Sequence, residues 1–259
     1  MPTAMYMADK GISVRGYDIN KLAVKRAEGH GIQSSTTLRD LDVDAIVVCV
    51  STNADGMRPV IGPVSDVIRK VGKMRFRAPL ISIESTMPPG SCRALYERYL
   101  PSSVLLVHVP HRYWEGDPVN HGVRQLRVIG AINQRSLDAG VEFYEDRLEI
   151  PLHRVDSIEI AEASKVLENA YRFVQIAFAE ESKLILASAG IDFDATRVAS
   201  NTKWNVEIPE ARNGIGGHCL PKDVRYLASL DSKHPLVDGA MISDHEYSRR
   251  FETRKRKSR

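Results

Sequence analysis

Over residues 1–150, short apolar runs typical of β-strands alternate with stretches typical of α-helices, and this order restricts the folds open to the chain. Strands that alternate with helices usually pair in parallel, and the helices then cover both faces of the sheet. The sequence therefore predicts an α/β domain with a parallel sheet over residues 1–150. The strand-like runs are residues 11–18, 44–51, 79–85, 103–109 and 127–131, and the first helix-like stretches are residues 20–29 and 62–71.

The alternation ends near residue 151, where a helical pattern replaces it. Residues 157–189 contain neither proline nor glycine, and their apolar residues recur at close to the helical period. Gly190 is a typical stop signal, and we expect a shorter helix to begin at Asp194. We therefore predict a second, all-α domain over residues 151–235, built on one long helix.

Composition and charge exclude several kinds of partner. The formal net charge of +3 is too small to indicate a nucleic-acid partner. The basic residues near the end favour a disordered tail over residues 236–259. Because no apolar run approaches the roughly 18–20 residues of a membrane span, no membrane partner is expected. The spacings of Cys49, Cys92 and Cys219 fit neither a disulfide framework nor a metal site, which favours a reducing, cytoplasmic compartment.

One cysteine lies in a glycine-rich turn, within the sequence Gly-Ile-Gly-Gly-His-Cys-Leu-Pro-Lys-Asp of residues 214–223. Glycines such as Gly216 and Gly217 allow a ligand to approach the backbone closely. The thiol of Cys219 is a nucleophile when its thiolate is stabilised. A buried structural cysteine is the alternative, but a packed core position does not need these flanking residues.

Polar residues follow three of the predicted strands. Asp18 closes the first strand, where dinucleotide-binding folds hold the ribose hydroxyls of NAD, and a carboxylate there disfavours NADP. The alternative for Asp18 is an ordinary turn residue. Thr52 and Thr86 follow two later strands, at the sheet edge where such folds bind ligands. Helix capping is the alternative for both threonines.

The long predicted helix carries a polar group on one face. Lys165 and Asn169 are four residues apart and share that face, and Glu162 precedes Lys165 by three. A lysine and an asparagine that project into a cleft can bind a sugar hydroxyl or stabilise an oxyanion. A solvated polar stripe is the alternative interpretation.

Together these motifs resemble the nucleotide-sugar 6-dehydrogenases, the family that includes UDP-glucose and UDP-N-acetylmannosamine dehydrogenases. The matching segments are Tyr17-Asp18 and residues 50–52, 85–90, 162–172 and 216–223. The resemblance implies a Rossmann-like parallel sheet lacking its first strand and the glycine-rich turn, followed by an all-α dimerisation and substrate domain. It also implies NAD as the cofactor and a homodimer formed through the long helix.

The resemblance further implies a four-electron oxidation of a sugar C6 alcohol through a thioester on Cys219. Lys165 and Asn169 would stabilise oxyanions, Asp223 would hold Lys165 or a water molecule, and Thr86 would position the water. The substrate would be bound by a second group of residues, namely His111, Arg112, Glu162, Gly216 and Gly217. Because His111 replaces a glutamate that the family often has in this loop, the resemblance favours a UDP-N-acetylhexosamine, with Glu115 as a candidate substitute for that glutamate.

Two other interpretations remain open. A two-electron hydroxyacid dehydrogenase also pairs a dinucleotide domain with a helix that carries lysine and asparagine, but it has no need of Gly217-His218-Cys219. An inactive remnant that dimerises through its long helix is the non-enzymatic alternative.

Overall fold

The computed structural model describes residues 1–38, 42–74, 80–114 and 116–257, and of residues 251–257 it describes the backbone alone. The chain forms two compact units. The first comprises Met1–Thr52 and Ile61–Ala163, and the second comprises Asn53–Val60 and Ser164–Arg259. The predicted boundary near residue 151 lies earlier than this division, which falls inside the long helix.

The secondary structure follows the predicted alternation and adds several short elements. The strands are β1 (Arg15–Tyr17), β2 (Gln33–Ser35), β3 (Ala45–Val48), β4 (Asn53–Asp55), β5 (Arg58–Val60), β6 (Leu80–Ile83), β7 (Leu105–His108), β8 (Arg127–Ala131) and β9 (Leu152–Arg154). The helices are α1 (Pro2–Asp9), α2 (Lys21–Gly29), α3 (Gly62–Val71), α4 (Ser91–Tyr99), α5 (Gln134–Val141), α6 (Ile158–Ser188), α7 (Phe193–Ser200), α8 (Cys219–Ala228) and α9 (Pro235–Lys257). A π-helical turn at Glu142–Arg147 continues α5.

The first unit is built on a mostly parallel sheet, as predicted. Its five strands lie in the order β3-β6-β7-β8-β9, and β1 pairs in parallel with β2 in a separate two-stranded sheet. One pairing differs from the prediction, because β8 runs antiparallel to β7. The sequence pattern of a strand shows which of its faces are buried but does not show its direction in the sheet. The sequence of β8 is therefore compatible with either a parallel or an antiparallel pairing.

Apolar clusters cover both faces of the five-stranded sheet. Ile81 and Ile83 of β6 pack with Val64 and other residues of α3 in one cluster, whereas Leu80 packs with Val107 in another. Alternate residues of a strand point to opposite faces, so the two clusters lie on opposite sides of the sheet. Complete burial of β6 explains why its sequence is apolar at three of four positions, and the hydroxyl of the fourth, Ser82, is bonded to the Tyr144 hydroxyl at 2.7 Å.

The second unit is helical, as predicted, and α6 supplies its core. Phe173 of α6 packs with Val224 of α8 and Ala240 of α9, and further along α6 Ala179 packs with Phe193 of α7. The hairpin formed by β4 and β5 belongs to this unit, where it packs against α8. No helix within the described ranges is long and apolar enough to cross a membrane.

The segment predicted as a disordered basic tail over residues 236–259 is helical through Lys257. Ala240 and Tyr247 of α9 are buried, and they lie seven residues apart on one helical face. This sparse apolar face is difficult to detect in the sequence because charged residues surround it. Tertiary packing of that face orders a segment whose composition alone favours disorder.

Candidate functional site

In the first unit, two candidate threonines lie at the edge of the sheet and are bonded to each other. The Thr52 hydroxyl, which is buried, donates to the carbonyl oxygen of Thr86 at 3.0 Å. Thr52 was predicted to contact a cofactor or to cap a helix, and here it joins the loop after β3 to the loop after β6. The bond fixes the backbone at Thr86, whose side chain is half-buried.

Glu162 anchors the other end of the loop that carries Thr86. Its carboxylate accepts from the backbone N–H groups of Gly90 at 2.6 Å and of Cys92 at 2.7 Å, at the N-terminus of α4. Burial raises the pKa of this carboxyl, and the same two N–H groups partly offset the rise. Glu162 was predicted to bind substrate, but the fully buried side chain has both oxygens occupied by the backbone.

Asp18 lies directly after β1 and is exposed to solvent. Its Oδ1 accepts from the Asn20 N–H at 2.8 Å, and Asn20 in turn caps α2 through the Leu22 N–H. This geometry is that of an ordinary turn residue, the alternative prediction for Asp18. It is also compatible with a ribose, since the carboxylate is exposed and has a second oxygen to accept a hydroxyl.

Glu84, the residue two before Thr86, is the centre of a buried polar cluster that was not predicted from the sequence. Glu84 Oε1 accepts from Arg127 at 2.8 Å and from the Tyr144 hydroxyl at 2.8 Å, and Oε2 accepts from Thr3 at 3.2 Å. The side chains of Glu84 and Arg127 are each 1% exposed, so the ion pair is fully desolvated. Burial, followed by the Glu84 charge, raises the pKa of Tyr144. The available signal was a glutamate that ends an otherwise apolar strand.

The loop after β7 carries the two predicted substrate residues His111 and Arg112. The His111 ring contacts the Thr3 hydroxyl at 3.0 Å through Nε2 and accepts from the Tyr113 N–H at 3.1 Å through Nδ1. Arg112 donates to the carbonyl oxygen of Leu126 at 2.9 Å. Both side chains are thus oriented by the protein itself. Glu115, the candidate substitute for the family glutamate, lies outside the described residues.

In the second unit, Asn169 and Asp223 form the centre of a polar group. Asn169 Nδ2 donates to Asp223 Oδ2 at 2.5 Å, and Lys222 Nζ donates to Asp223 Oδ1. Asp223 is completely buried and Lys222 is nearly so, with its ammonium 4.5 Å from the centre of the Tyr226 ring. Asp223 therefore fixes the orientation of the Asn169 amide, and Lys222 neutralises its charge.

Lys165 has a partner different from the predicted one. Its ammonium donates to Glu168 Oε1 at 2.9 Å, and its side chain is 12% exposed. Asp223 was predicted to hold Lys165 or a water molecule, and among the described residues its side chain accepts from Asn169 and Lys222. The ion pair of Lys222 with Asp223 was not predicted, and the available sequence signal was that the two residues are adjacent in the motif.

Cys219 is the first residue of α8 and is exposed. The N-terminus of a helix stabilises negative charge that develops near it. Gly217, two residues before Cys219, has a φ of 78°, a backbone conformation that residues with a side chain rarely adopt. A Cβ placed on Gly216 would meet nothing within 4 Å. The turn therefore exposes both the thiol and its own backbone.

These groups of the second unit combine into one chemical arrangement. Cys219 and Asp223 are four residues apart on α8, so they share a face of that helix, and Asp223 bonds to Asn169 on α6. Lys165 lies one turn before Asn169 on the same face of α6. The three kinds of group present, an exposed thiol, an oriented amide and an ammonium, are those that can attack a carbonyl carbon and stabilise the resulting oxyanion.

Two domains of one family together match most of the chain. The NAD binding domain of the UDP-glucose/GDP-mannose dehydrogenase family matches residues 27–148, and the central domain of the same family matches residues 159–243.

The curated relatives that are similar to this chain include dehydrogenases of UDP-N-acetylated sugars. A UDP-N-acetyl-D-mannosamine dehydrogenase of Methanococcus maripaludis is 30% identical over 264 residues, covering 93% of this chain and 61% of the relative. A UDP-N-acetyl-D-glucosamine 6-dehydrogenase of Pseudomonas aeruginosa is 28% identical, covering 86% of this chain and 56% of the relative. The chain thus spans about three fifths of the length of the curated relatives it matches.

Solved structures are similar across nearly the whole chain. The UDP-D-ManNAc dehydrogenase of Pyrococcus horikoshii superposes with a TM-score of 0.85 at 26% identity, covering 95% of this chain and 66% of that one. A 3-hydroxyisobutyrate dehydrogenase of Mycobacterium tuberculosis gives a TM-score of 0.74 at 14% identity, covering 97% and 94%, which shows a common fold alone.

Proposed function

Because the chain belongs to the UDP-glucose/GDP-mannose dehydrogenase family, we propose that it carries out the NAD-dependent oxidation of a UDP-N-acetylhexosamine at C6 to the uronic acid. The observation that carries this proposal is the group formed by Cys219, Asp223 and Asn169 in the second unit. Relatives that act, by name, on UDP-N-acetyl-D-mannosamine support this class of sugar.

The proposed reaction removes four electrons in two oxidations. NAD, when bound, accepts a hydride in each of them. The C6 alcohol first becomes an aldehyde, and the Cys219 thiolate adds to the aldehyde carbon to form a thiohemiacetal. Oxidation of the thiohemiacetal leaves a thioester, and attack by water releases the uronic acid and restores the thiol. The exposure of Cys219 and its place at a helix N-terminus suit this nucleophilic role.

Two side chains of α6 are assigned to oxyanion stabilisation. The amide of Asn169 is oriented by Asp223, so it is prepared to donate without rearrangement when negative charge develops. Lys165 supplies a positive charge that is only slightly exposed and therefore weakly screened. Asp223 acts here as a positioning residue, and Lys222 keeps its buried charge neutralised.

Residues of the first unit are assigned to water, substrate and cofactor. Thr86, held by Thr52, is assigned to positioning the hydrolytic water. His111 and Arg112 are assigned to the sugar nucleotide, together with the open backbone of Gly216 and Gly217 in the second unit. The exposed carboxylate of Asp18 fits the ribose hydroxyls of NAD.

We further propose a homodimer formed through α6, in a reducing, cytoplasmic compartment that suits the free thiols. Four large apolar side chains of α6 are more than half exposed and form a stripe at helical spacing: Leu167, Tyr171, Phe178 and Ile185. An apolar groove of about 240 Å³ adjoins the stripe, with Phe178, Ile185 and Phe193 among its lining residues. Apolar surface of this kind on a helix is typical of a subunit interface.

The test is release of NADH when the chain is mixed with NAD and, in turn, UDP-N-acetylmannosamine, UDP-N-acetylglucosamine, UDP-N-acetylgalactosamine and UDP-glucose. We expect two NADH per uronic acid with an N-acetylated sugar. Cys219→Ala should form no uronic acid, whereas the matched variant Cys49→Ala should retain activity. No NADH with any of these sugars would refute the proposed activity and favour a dimerising protein without catalysis.

A two-electron hydroxyacid dehydrogenase is the second candidate, and its support is the shared fold of the M. tuberculosis enzyme. It would release one NADH per substrate, and the rate would not depend on Cys219. The same assay with a panel of small hydroxyacids distinguishes the two candidates.

A further inference from the structure

The segment that leads into the cysteine turn is held by side chains of α6 and α9. Lys183 of α6 donates to the carbonyl oxygen of Ala211 at 3.0 Å, and the Tyr247 hydroxyl of α9 donates to the carbonyl oxygen of Arg212 at 2.9 Å. The Ile215 N–H donates to Asp244 Oδ1 of α9 at 2.8 Å. Ile215 is four residues before Cys219. The bond from Asp244 therefore fixes the backbone at the start of the cysteine turn.

Asp244 faces a second carboxyl, that of Glu180 on α6. Glu180 is completely buried, and neither of its oxygens has a hydrogen bond of good geometry to an N–H or O–H group of the described residues. Burial, followed by the charge of Asp244 and a bond to it, raises the pKa of Glu180 to about 8. The nearby Gly214 N–H offsets only part of this rise. Two carboxyls bond to each other only when one carries a proton.

The close approach of the segment to α9 supports this arrangement. Gly214 has a φ of 87°, and a Cβ there would lie 2.2 Å from the Ser248 hydroxyl oxygen of α9. The segment therefore lies directly against the helix that carries Asp244. A displacement of Asp244 would be transmitted to the backbone at Ile215 through their hydrogen bond.

Other charged side chains of these elements have partners elsewhere or lie exposed. Lys183 bonds to Ala211, Arg212 pairs with Glu210, Arg249 pairs with Glu246, Glu181 accepts from Ser243, and His245 is exposed. Among the charged groups, Asp244 alone contributes to the pKa shift of Glu180 over the described residues.

We propose that Glu180 carries a proton that it donates to Asp244 and that the pair latches the cysteine turn, so that loss of this proton in alkaline solution releases the turn. With the proton present, Glu180 donates to Asp244, and Asp244 in turn accepts from the Ile215 N–H. Without it, the buried carboxylate of Glu180 and the half-buried carboxylate of Asp244 face each other and repel. The consequence for catalysis rests on the proposed function, but the latch itself does not.

The sign of the pH dependence follows from the direction of the shift. Because the pKa of Glu180 is higher in the folded protein than its ordinary value, the folded protein holds the proton over a wider range. The stabilisation is therefore fully present below the ordinary glutamate pKa of 4.5 and is lost as the pH rises through about 8.

The test is hydrogen–deuterium exchange of the peptide that covers residues 211–219, corrected for the intrinsic effect of pH, and it requires neither cofactor nor substrate. We expect the protection of Ile215 to fall by roughly tenfold for each pH unit above the pKa of Glu180, as the protonated fraction falls. Glu180→Gln, which keeps a donor without titrating, should retain its protection to high pH. The exposed neighbour Glu181→Gln is the matched control and should behave as the parent chain does.

A second variant keeps the inference testable if Glu180→Gln fails to fold. In Asp244→Asn the amide oxygen still accepts from Ile215, and the amide N–H₂ donates to an ionised Glu180. This variant should also lose the alkaline release. Equal pH dependence of protection in the parent chain and in either folded variant would overturn the latch, whatever the outcome of the NADH assay.

Discussion

At the residue scale, the functional side chains act through neighbours that hold them. The Asn169 amide is fixed by Asp223, and Asp223 is neutralised by Lys222. Thr52 and Glu162 hold the two ends of the loop that carries Thr86. A reactive group that is already oriented avoids reorganisation during the reaction, which is the main source of electrostatic catalysis.

Glu162 gives a stability prediction at this scale. Glu162→Ala leaves the N–H groups of Gly90 and Cys92 without their acceptor, and each lost bond to a buried donor costs roughly 1–3 kcal/mol. We therefore expect the free energy of unfolding, measured by urea denaturation, to fall by about 2–6 kcal/mol. The partly exposed pair of Glu159 and Arg93 is the control, and Glu159→Ala should cost about 0–1 kcal/mol. Equal losses in the two variants would show that Glu162 is not the anchor of this loop.

The sequence predicted the residues of the second-unit site better than their partners. Lys165 and Asn169 were predicted from their spacing on the long helix, whereas Cys219 and Asp223 were predicted from the glycine-rich motif of residues 214–223. Asp223 was predicted to hold Lys165 or a water molecule, and its bonds to Asn169 and Lys222 were not predicted, because sequence pattern alone does not show which side chains meet a carboxylate. The cluster around Glu84 was not predicted, because its members come from distant parts of the chain and no local pattern connects them.

At the element scale, long periodic segments were predictable and short ones were not. The predicted helix over residues 62–71 coincides with α3, and the long helix matches α6 within two residues. The hairpin of β4 and β5 has strands of three residues, too short for a period to show. α8 was missed because glycines before it and Pro221 within it are typical of a turn, yet proline is tolerated in the first turn of a helix.

α9 yields the prediction that belongs to this scale. Tyr247→Phe keeps the ring of α9 in the core but removes its hydrogen bonds to the carbonyl oxygens of Ala211 and Arg212. We expect a loss of roughly 0.5–1.5 kcal/mol in the free energy of unfolding. Exchange at residues 211–215 should also become faster. Tyr171→Phe, on the exposed face of α6, is the control and should change the free energy by less than about 0.5 kcal/mol. An unchanged stability and exchange rate in Tyr247→Phe would show that α9 does not hold this segment.

At the scale of the whole molecule, the two units divide the proposed work. The first is the NAD binding domain of the family and carries Asp18, Thr86 and His111. The second carries the thiol and the oxyanion-stabilising groups, and α6 also presents the apolar stripe. One helix thus serves both the chemistry and the proposed association of two chains.

The stripe gives a prediction for the assembly. The parent chain should sediment at about twice its mass of 28.9 kDa. A charge placed in the stripe by Tyr171→Glu should produce monomers, because a buried unpaired carboxylate opposes association. Arg172→Glu, one residue along and also exposed, is the matched control and should leave the dimer intact. A parent chain that sediments as a monomer at micromolar concentration would contradict this proposal.

In the proposed reaction Cys219 carries an acyl group as a thioester. The most direct measurement is mass spectrometry of the chain after rapid acid quenching of a reaction with NAD and a UDP-N-acetylhexosamine. We predict an adduct with the mass of the uronyl group on the peptide that contains Cys219, removed by hydroxylamine as the hydroxamate and absent in Cys219→Ala. Formation of NADH and uronic acid with no adduct on Cys219, or with the adduct on another residue, would contradict the account.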